Sequence, residues 1–169
     1  MTRPLHLLGK IIRTGRVTEP ALPPPAAVDA GDGSGMALVP PTGSVQIRHV
    51  DAGSCNGCEL EIASAFGPVY DAERYGARLV ASPRHADVLL VTGPVTRNMA
   101  DPLRATYQAT PAPRRVVAVG DCARNCGVFA GGHGVEGAVG DIVPVDVEVP
   151  GCPPPPEALI AALRGLTGR

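Results

Sequence analysis

Five cysteines are the residues of this chain best suited to chemistry: Cys55, Cys58, Cys122, Cys126 and Cys152. Two of them form a Cys-x-x-Cys pair inside Gly53-Ser54-Cys55-Asn56-Gly57-Cys58, and two others sit in Gly120-Asp121-Cys122 and Gly151-Cys152-Pro153. A [4Fe–4S] cubane is commonly held by four thiolates. A Cys-x-x-Cys pair puts two sulfurs on one short loop. Cys58 falls where a helix should begin, and there backbone N–H groups and the helix dipole favour thiolate. Gly53, Gly57, Gly120 and Gly151 let the backbone approach an inorganic core and offer N–H donors to its sulfurs.

The same residues admit other chemistry. A structural zinc site more usually draws on two Cys-x-x-Cys pairs or on added histidines, and the second pair is missing here. A thioredoxin-like dithiol could use Cys55-Asn56-Gly57-Cys58 alone, but it leaves Cys122 and Cys152 without a role. Inert, buried thiols are a third reading, set against the clustering of the cysteines in glycine- and proline-rich loops. An odd number of cysteines does not make a complete disulfide framework.

The elements that must position these cysteines follow from hydrophobic patterning. Val45 to Val50 alternates as a strand does, and Cys58 to Phe66 has helical character, with Glu59 and Glu61 near its positive end. Arg78 to Ala81 reads as a short strand, Asp87 to Thr92 as a buried strand, and Asn98 to Ala109 as a helix stopped before Pro111. Arg115 to Gly120 is an apolar strand running into Cys122, and a glycine-rich loop follows to Gly140. Ile142 to Val147 reads as the last strand, and Glu157 to Leu166 as a helix led in by prolines. Strands alternating with helices predict an α/β domain with a mainly parallel sheet. Functional loops in such sheets lie beyond the carboxyl ends of the strands, and Cys55, Cys58, Cys122 and Cys152 each follow a strand. Three distant segments can therefore meet at one sheet edge.

The rest of the chain reads differently. Residues 1–18 include a short basic amphipathic stretch with Leu5, Leu8 and Ile12 at helical spacing and with Lys10, Arg13 and Arg16. It suits docking on a membrane surface or in a partner's groove. Residues 19–43 hold Pro23-Pro24-Pro25 and Gly31-Asp32-Gly33-Ser34-Gly35 and read as an extended linker. Residues 44–169 are the α/β domain. A net charge of −1 and 3% aromatic content argue against binding nucleic acid. No stretch approaches the roughly 18 apolar residues of a transmembrane helix, and the first twenty residues do not read as a secretion signal. There is no Gly-x-Gly-x-x-Gly after a strand and no Walker loop.

Five words occur in order: Ser54-Cys55-Asn56-Gly57-Cys58-Glu59-Leu60-Glu61, Ala81-Ser82-Pro83-Arg84-His85-Ala86-Asp87, Thr92-Gly93-Pro94-Val95-Thr96, Val119-Gly120-Asp121-Cys122-Ala123 and Val149-Pro150-Gly151-Cys152-Pro153-Pro154. Together they resemble the small iron–sulfur subunit shared by respiratory complex I and membrane-bound [NiFe] hydrogenases, from about Val45 to Leu166. Arg13-Thr14-Gly15-Arg16-Val17-Thr18-Glu19-Pro20 looks like the lead-in of the hydrogenase-type members. The resemblance implies a flavodoxin-like domain, with helices on both faces of the sheet, that carries one [4Fe–4S] cluster on Cys55, Cys58, Cys122 and Cys152. It implies a partner like the hydrogenase large subunit or the 49-kDa chain of complex I, which supplies any nickel site. Membrane subunits would be met through the N-terminal segment, and the complex would lie peripherally on the cytoplasmic face of the cell membrane. Complex I members have adjacent cysteines at the first pair. Cys-x-x-Cys resembles the hydrogenase type, closest to formate hydrogenlyase. The alternatives are a complex I-like subunit passing electrons to quinone, and a structural zinc or scaffold module.

Cys126 departs from the family's pattern, which has glycine there. Cys126 could take the place of Cys122 as a ligand, being close in sequence, but Cys122 carries the Gly-Asp-Cys-Ala context and is the expected one, which leaves Cys126 a spare thiol near the cluster. Glu61 matches an acidic position of the family and could couple protonation to cluster reduction. Arg84 is a candidate for contact with the partner or for offsetting the cluster's charge. His85 and His133 are weaker candidates as proton carriers. Asp121 is expected to hold the loop before Cys122 through backbone hydrogen bonds.

Overall fold

The apolar run Val88-Leu89-Leu90-Val91-Thr92 is buried at every position, as expected of a strand covered on both faces. The computed structural model describes residues 12–14 and 43–169. Residues 12–14 form a helical turn with exposed side chains. Otherwise the expected docking segment (1–18) and, apart from Gly43, the linker (19–43) lie outside the described residues.

Five strands make one parallel sheet: β1 (Val45–Asp51), β2 (Ala77–Leu79), β3 (Val88–Thr92), β5 (Arg115–Val119) and β7 (Val147–Val149), in the order β2-β1-β3-β5-β7. Counting only these strands, the order is the flavodoxin-like one, and it reverses between β1 and β3. A separate pair, β4 (Val95–Thr96) and β6 (Val135–Gly137), is antiparallel. Helices α1 (Gly57–Ala65), α2 (Arg97–Ala109), α3 (Asp121–Asn125) and α4 (Pro156–Thr167) complete the domain. The α/β class, the parallel sheet and helices on both faces agree with the sequence-based expectation.

Alternation along the strands divides the core in two. Ile47, Leu90, Val117 and Val119 pack under α1 and α4 with Ile62, Leu159 and Leu163. Leu89, Val91, Val116 and Ala118 face the other way and pack with Leu103 of α2 and with Val139 and Val143. Helix α4 starts on Pro156, whose fixed φ suits a first turn, and ends on Gly168 at φ 74° with its N–H bonded to Arg164.

One strand differs from its expected place. The last strand is Val147–Val149, not Ile142 to Val147. Ile142 instead ends a 3₁₀ turn at Val139–Asp141, and Pro144 has no N–H to give to a ladder. Pairing starts only after Asp146, whose carboxylate accepts the Val116 N–H at 2.7 Å and whose own N–H donates to the Val116 carbonyl at 2.9 Å. The β4–β6 pair, which joins the segment after β3 to the glycine-rich loop, was not legible, because strands of two and three residues carry no periodicity.

Candidate metal centre

Three loops at the carboxyl edge of the sheet carry the cysteines. β1 ends at Asp51, whose Oδ1 accepts the N–H groups of Gly53 and Ser54, both at 2.8 Å. This turn delivers Cys55 to the surface. Asn56 takes the left-handed conformation (φ 73°), which Asn tolerates better than most residues, and α1 starts at Gly57. Cys58 is thereby in the first turn of a helix and buried, with Sγ 3.9 Å from the Val119 carbonyl at the end of β5. β5 runs through Gly120 into α3, which holds Cys122, also buried. β7 leads to Gly151 and the exposed Cys152.

The three loops meet around Gly120. A β-carbon there would stand 2.7 Å from Cys58 Sγ and 3.3 Å from the Gly151 carbonyl oxygen, and the residue holds φ 85°. Only glycine suits both the conformation and the space. A β-carbon on Gly57 would lie 3.6 Å from Cys55 Sγ and 3.8 Å from Pro153 Cγ, so the first loop also reaches the Cys152 loop.

Electrostatics join the same four thiols. The Cys58 thiol is pushed up to about 12, first by burial, then by the Glu59 carboxylate and by Cys122, Cys55 and Cys152. The Cys122 thiol is also raised, by burial and then by Cys152 and Cys55. Cys126 is raised by burial and by Asp141, and no other cysteine acts on it. It closes α3 in the left-handed conformation (φ 66°), where its N–H bonds to the Cys122 carbonyl at 2.9 Å. Only one of the two neighbouring thiols therefore shares the field of the other loops.

The four thiols have the donor chemistry that an iron–sulfur cluster takes. Among the described residues, no group of three or more Cys, His, Asp or Glu side chains is placed to hold one metal ion. A cubane distributes its thiolates around several irons, and four cysteine sulfurs from three loops, with glycine backbone between them, are the donors it takes.

Glu61 is half-buried on α1, and its charge acts on Tyr70, which hydrogen-bonds Glu157 of α4 at 3.0 Å. Arg84 and His85 are exposed in a 3₁₀ turn (Pro83–His85) that leads back to the start of β3. His133 is exposed just before β6. Asp121 does hold its loop, accepting the Gly151 N–H at 3.0 Å and the Arg124 guanidinium at 3.3 Å. Glu59 was read from the sequence only as a helix-dipole acid, and the structure gives it more. Its side chain is 17% exposed and sits among Ser54, Thr92 and His49. The sequence signal available was the word Cys58-Glu59 itself, but nothing in it ties Glu59 to residues 49 and 92.

Residues 55–166 match the family described as NADH ubiquinone oxidoreductase, 20 Kd subunit. The chain belongs to this family. A Pyrococcus furiosus protein named "Probable membrane-bound hydrogenase subunit mbhJ" is 52% identical over 114 residues, 68% of each chain. Formate hydrogenlyase subunit 7 of Escherichia coli is 47% identical over 117 residues, which are 69% of this chain and 46% of that one. Among solved structures, the membrane-bound sulfane sulfur reductase, an archaeal respiratory membrane complex, contains a similar chain: TM-score 0.66, 32% identity, covering 75% of this chain and 70% of that one. Members of the 20 Kd subunit family are thus parts of oxidoreductase complexes. Among the described residues, no helix is long and apolar enough to cross a membrane.

Proposed function

We propose that Cys55, Cys58, Cys122 and Cys152 hold one [4Fe–4S] cluster, and that the chain is the electron-transfer subunit of a membrane-associated, hydrogenase-type complex of the formate hydrogenlyase kind. The observation that carries this reading is the meeting of three cysteine loops around Gly120, with four thiols acting on one another and Cys126 outside that set. When bound, such a cluster supplies one-electron storage and transfer. The protein's part is to hold and insulate. Burial of Cys58 and Cys122 keeps water from that side, while Cys55 and Cys152 lie at the exposed face, where a redox partner can approach. The raised thiols mean that the cysteines give up protons when they take metal, so loading is favoured as pH rises.

The partner is a chain like the hydrogenase large subunit or the complex I 49-kDa subunit. Residues 1–18 dock on membrane subunits, 19–43 link them to the cluster domain of 44–169, and the whole sits on the cytoplasmic face of the membrane. The second reading, electron delivery to quinone, draws support from the family to which the chain belongs. The Cys-x-x-Cys spacing of the first pair favours the hydrogenase type.

Anaerobic purification tests the cluster. The loaded chain should be brown, carry about four irons and about four sulfides, and give a paramagnetic signal on reduction. Cys126→Ser should keep the iron, whereas Cys122→Ser should lose it. A colourless protein with one zinc per chain would refute the proposal. Co-purification of a large subunit with two Cys-x-x-Cys pairs favours the hydrogenase type; a large subunit without them favours quinone.

A further inference from the structure

Glu59 joins three segments of the chain. Its Oε2 accepts from the Ser54 hydroxyl at 2.5 Å, and its Oε1 accepts from the Thr92 hydroxyl. The Thr92 oxygen lies 3.0 Å from His49 Nε2. Because the Thr92 proton goes to Glu59, the Thr92 oxygen accepts from His49, which places a hydrogen on Nε2. Ser54 in turn accepts the Asn56 N–H at 3.0 Å. One carboxylate thus connects the Cys55 loop, β1 through His49, and the end of β3 through Thr92, which is fully buried. The connection sits where the strand order reverses, the crevice in which open α/β sheets place their ligands.

A helix N-terminus alone does not account for this. An acid that only complements the dipole works from the surface, as an exposed first-turn residue does. Placing a carboxylate among buried groups is costly unless its oxygens are hydrogen-bonded, and here both are. Glu61, two residues on, falls about 200° away around the helix.

We infer that Glu59 is a positioning residue: it pins the Cys55–Cys58 loop to the ends of β1 and β3 and keeps a carboxylate beside Cys58, which lowers the reduction potential of the group those cysteines hold. The inference rests on the cluster reading above. An added electron meets repulsion from a nearby carboxylate, so the oxidised form is favoured.

The test uses the full chain, reconstituted anaerobically, with Glu59→Gln and Thr92→Val beside wild type. Three quantities are measured: iron and sulfide content, midpoint potential by a redox titration followed through the paramagnetic signal, and the rate of cluster loss to a chelator. Glu59→Gln should retain its cluster and show a midpoint potential above wild type. Thr92→Val keeps the carboxylate but removes one donor; it should lose its cluster several-fold faster with a smaller change in potential. A loaded Glu59→Gln variant with wild-type potential and wild-type retention overturns the inference alone. A wild-type chain that takes up no cluster overturns the cluster reading, and this one with it.

Discussion

Asp121 and Gly151 are bonded in both directions: Asp121 Oδ1 accepts the Gly151 N–H at 3.0 Å, and the Asp121 N–H donates to the Gly151 carbonyl at 2.8 Å. These residues immediately precede Cys122 and Cys152, so the link sets how far apart the two loops carry their thiols. Arg124 extends it to Glu148 at 2.8 Å, but that pair is solvent-exposed and contributes little by itself.

Asp121→Ala removes the side-chain half of the link and leaves the Gly151 N–H without its acceptor. The expected loss is about 1 kcal/mol, the usual net value of one such bond, together with faster cluster loss. Asp121→Asn keeps an acceptor oxygen and should stay near wild type. Urea unfolding of the cluster-free protein measures the first effect. Equal behaviour of the two variants would mean that the link does not hold the loops.

Gly120→Ala should be damaging. The residue holds φ 85° and its β-carbon would meet Cys58 Sγ at 2.7 Å. Backbone strain of this kind costs about 1–3 kcal/mol, and the displaced thiol should also impair iron uptake. Gly165→Ala is the matched control. It lies in α4, where an added β-carbon meets nothing within 4 Å, and it should stabilise by roughly 0.5–1 kcal/mol. Thermal melts of the two cluster-free variants should move in opposite directions.

Thiol reactivity should rank by exposure and by thiolate content. Cys55 and Cys152 are exposed, while Cys58 is buried and its thiol is pushed up to about 12. With iodoacetamide at pH 8, mass spectrometry of the cluster-free protein should find Cys55 and Cys152 modified first and Cys58 last, since the thiolate is the nucleophile. Raising the pH should speed the labelling of Cys58 after the exposed pair has saturated. Early modification of Cys58 would contradict its placement.

His49 should make stability depend on pH. Burial lowers its value from 6.5, against the opposing pull of Glu59 and Asp51. The unfolded chain then takes up a proton as pH falls below about 6.5, before the folded chain does. Stability is therefore complete above that pH and declines as pH drops toward the folded-state value. Denaturant midpoints of the cluster-free protein at pH 7.5 and 5.5 should show a steeper acid loss in wild type than in His49→Gln. Parallel curves would rule out this role.

Much of the site was legible because its parts are local. Cys-x-x-Cys places two thiols on one turn whatever surrounds it, and runs such as Val88 to Val91 specify doubly covered strands by composition alone. Loops beyond parallel strands then bring Cys122 and Cys152 to the same edge. The misplaced last strand shows the limit of pattern. Ile142-Val143-Pro144-Val145 is apolar enough for a strand, yet pairing is decided by which N–H groups are free to give, and Pro144 has none. Cys126 shows another limit: four residues from Cys122 puts it close in sequence, while the left-handed turn that ends α3 places it beside Asp141.

The sequence by itself determined the class of fold, the four thiols best suited to one site, and the glycines that let three loops converge. Tertiary structure alone decided which acid stands with them. Glu59 and Glu61 share one helical turn and are two residues apart, which at roughly 100° per residue puts them on opposite sides of α1. Both lie near the helix start in sequence. Only the packing of α1 against β1 and β3, which brings Thr92 and His49 to one side of the helix, gives Glu59 these partners.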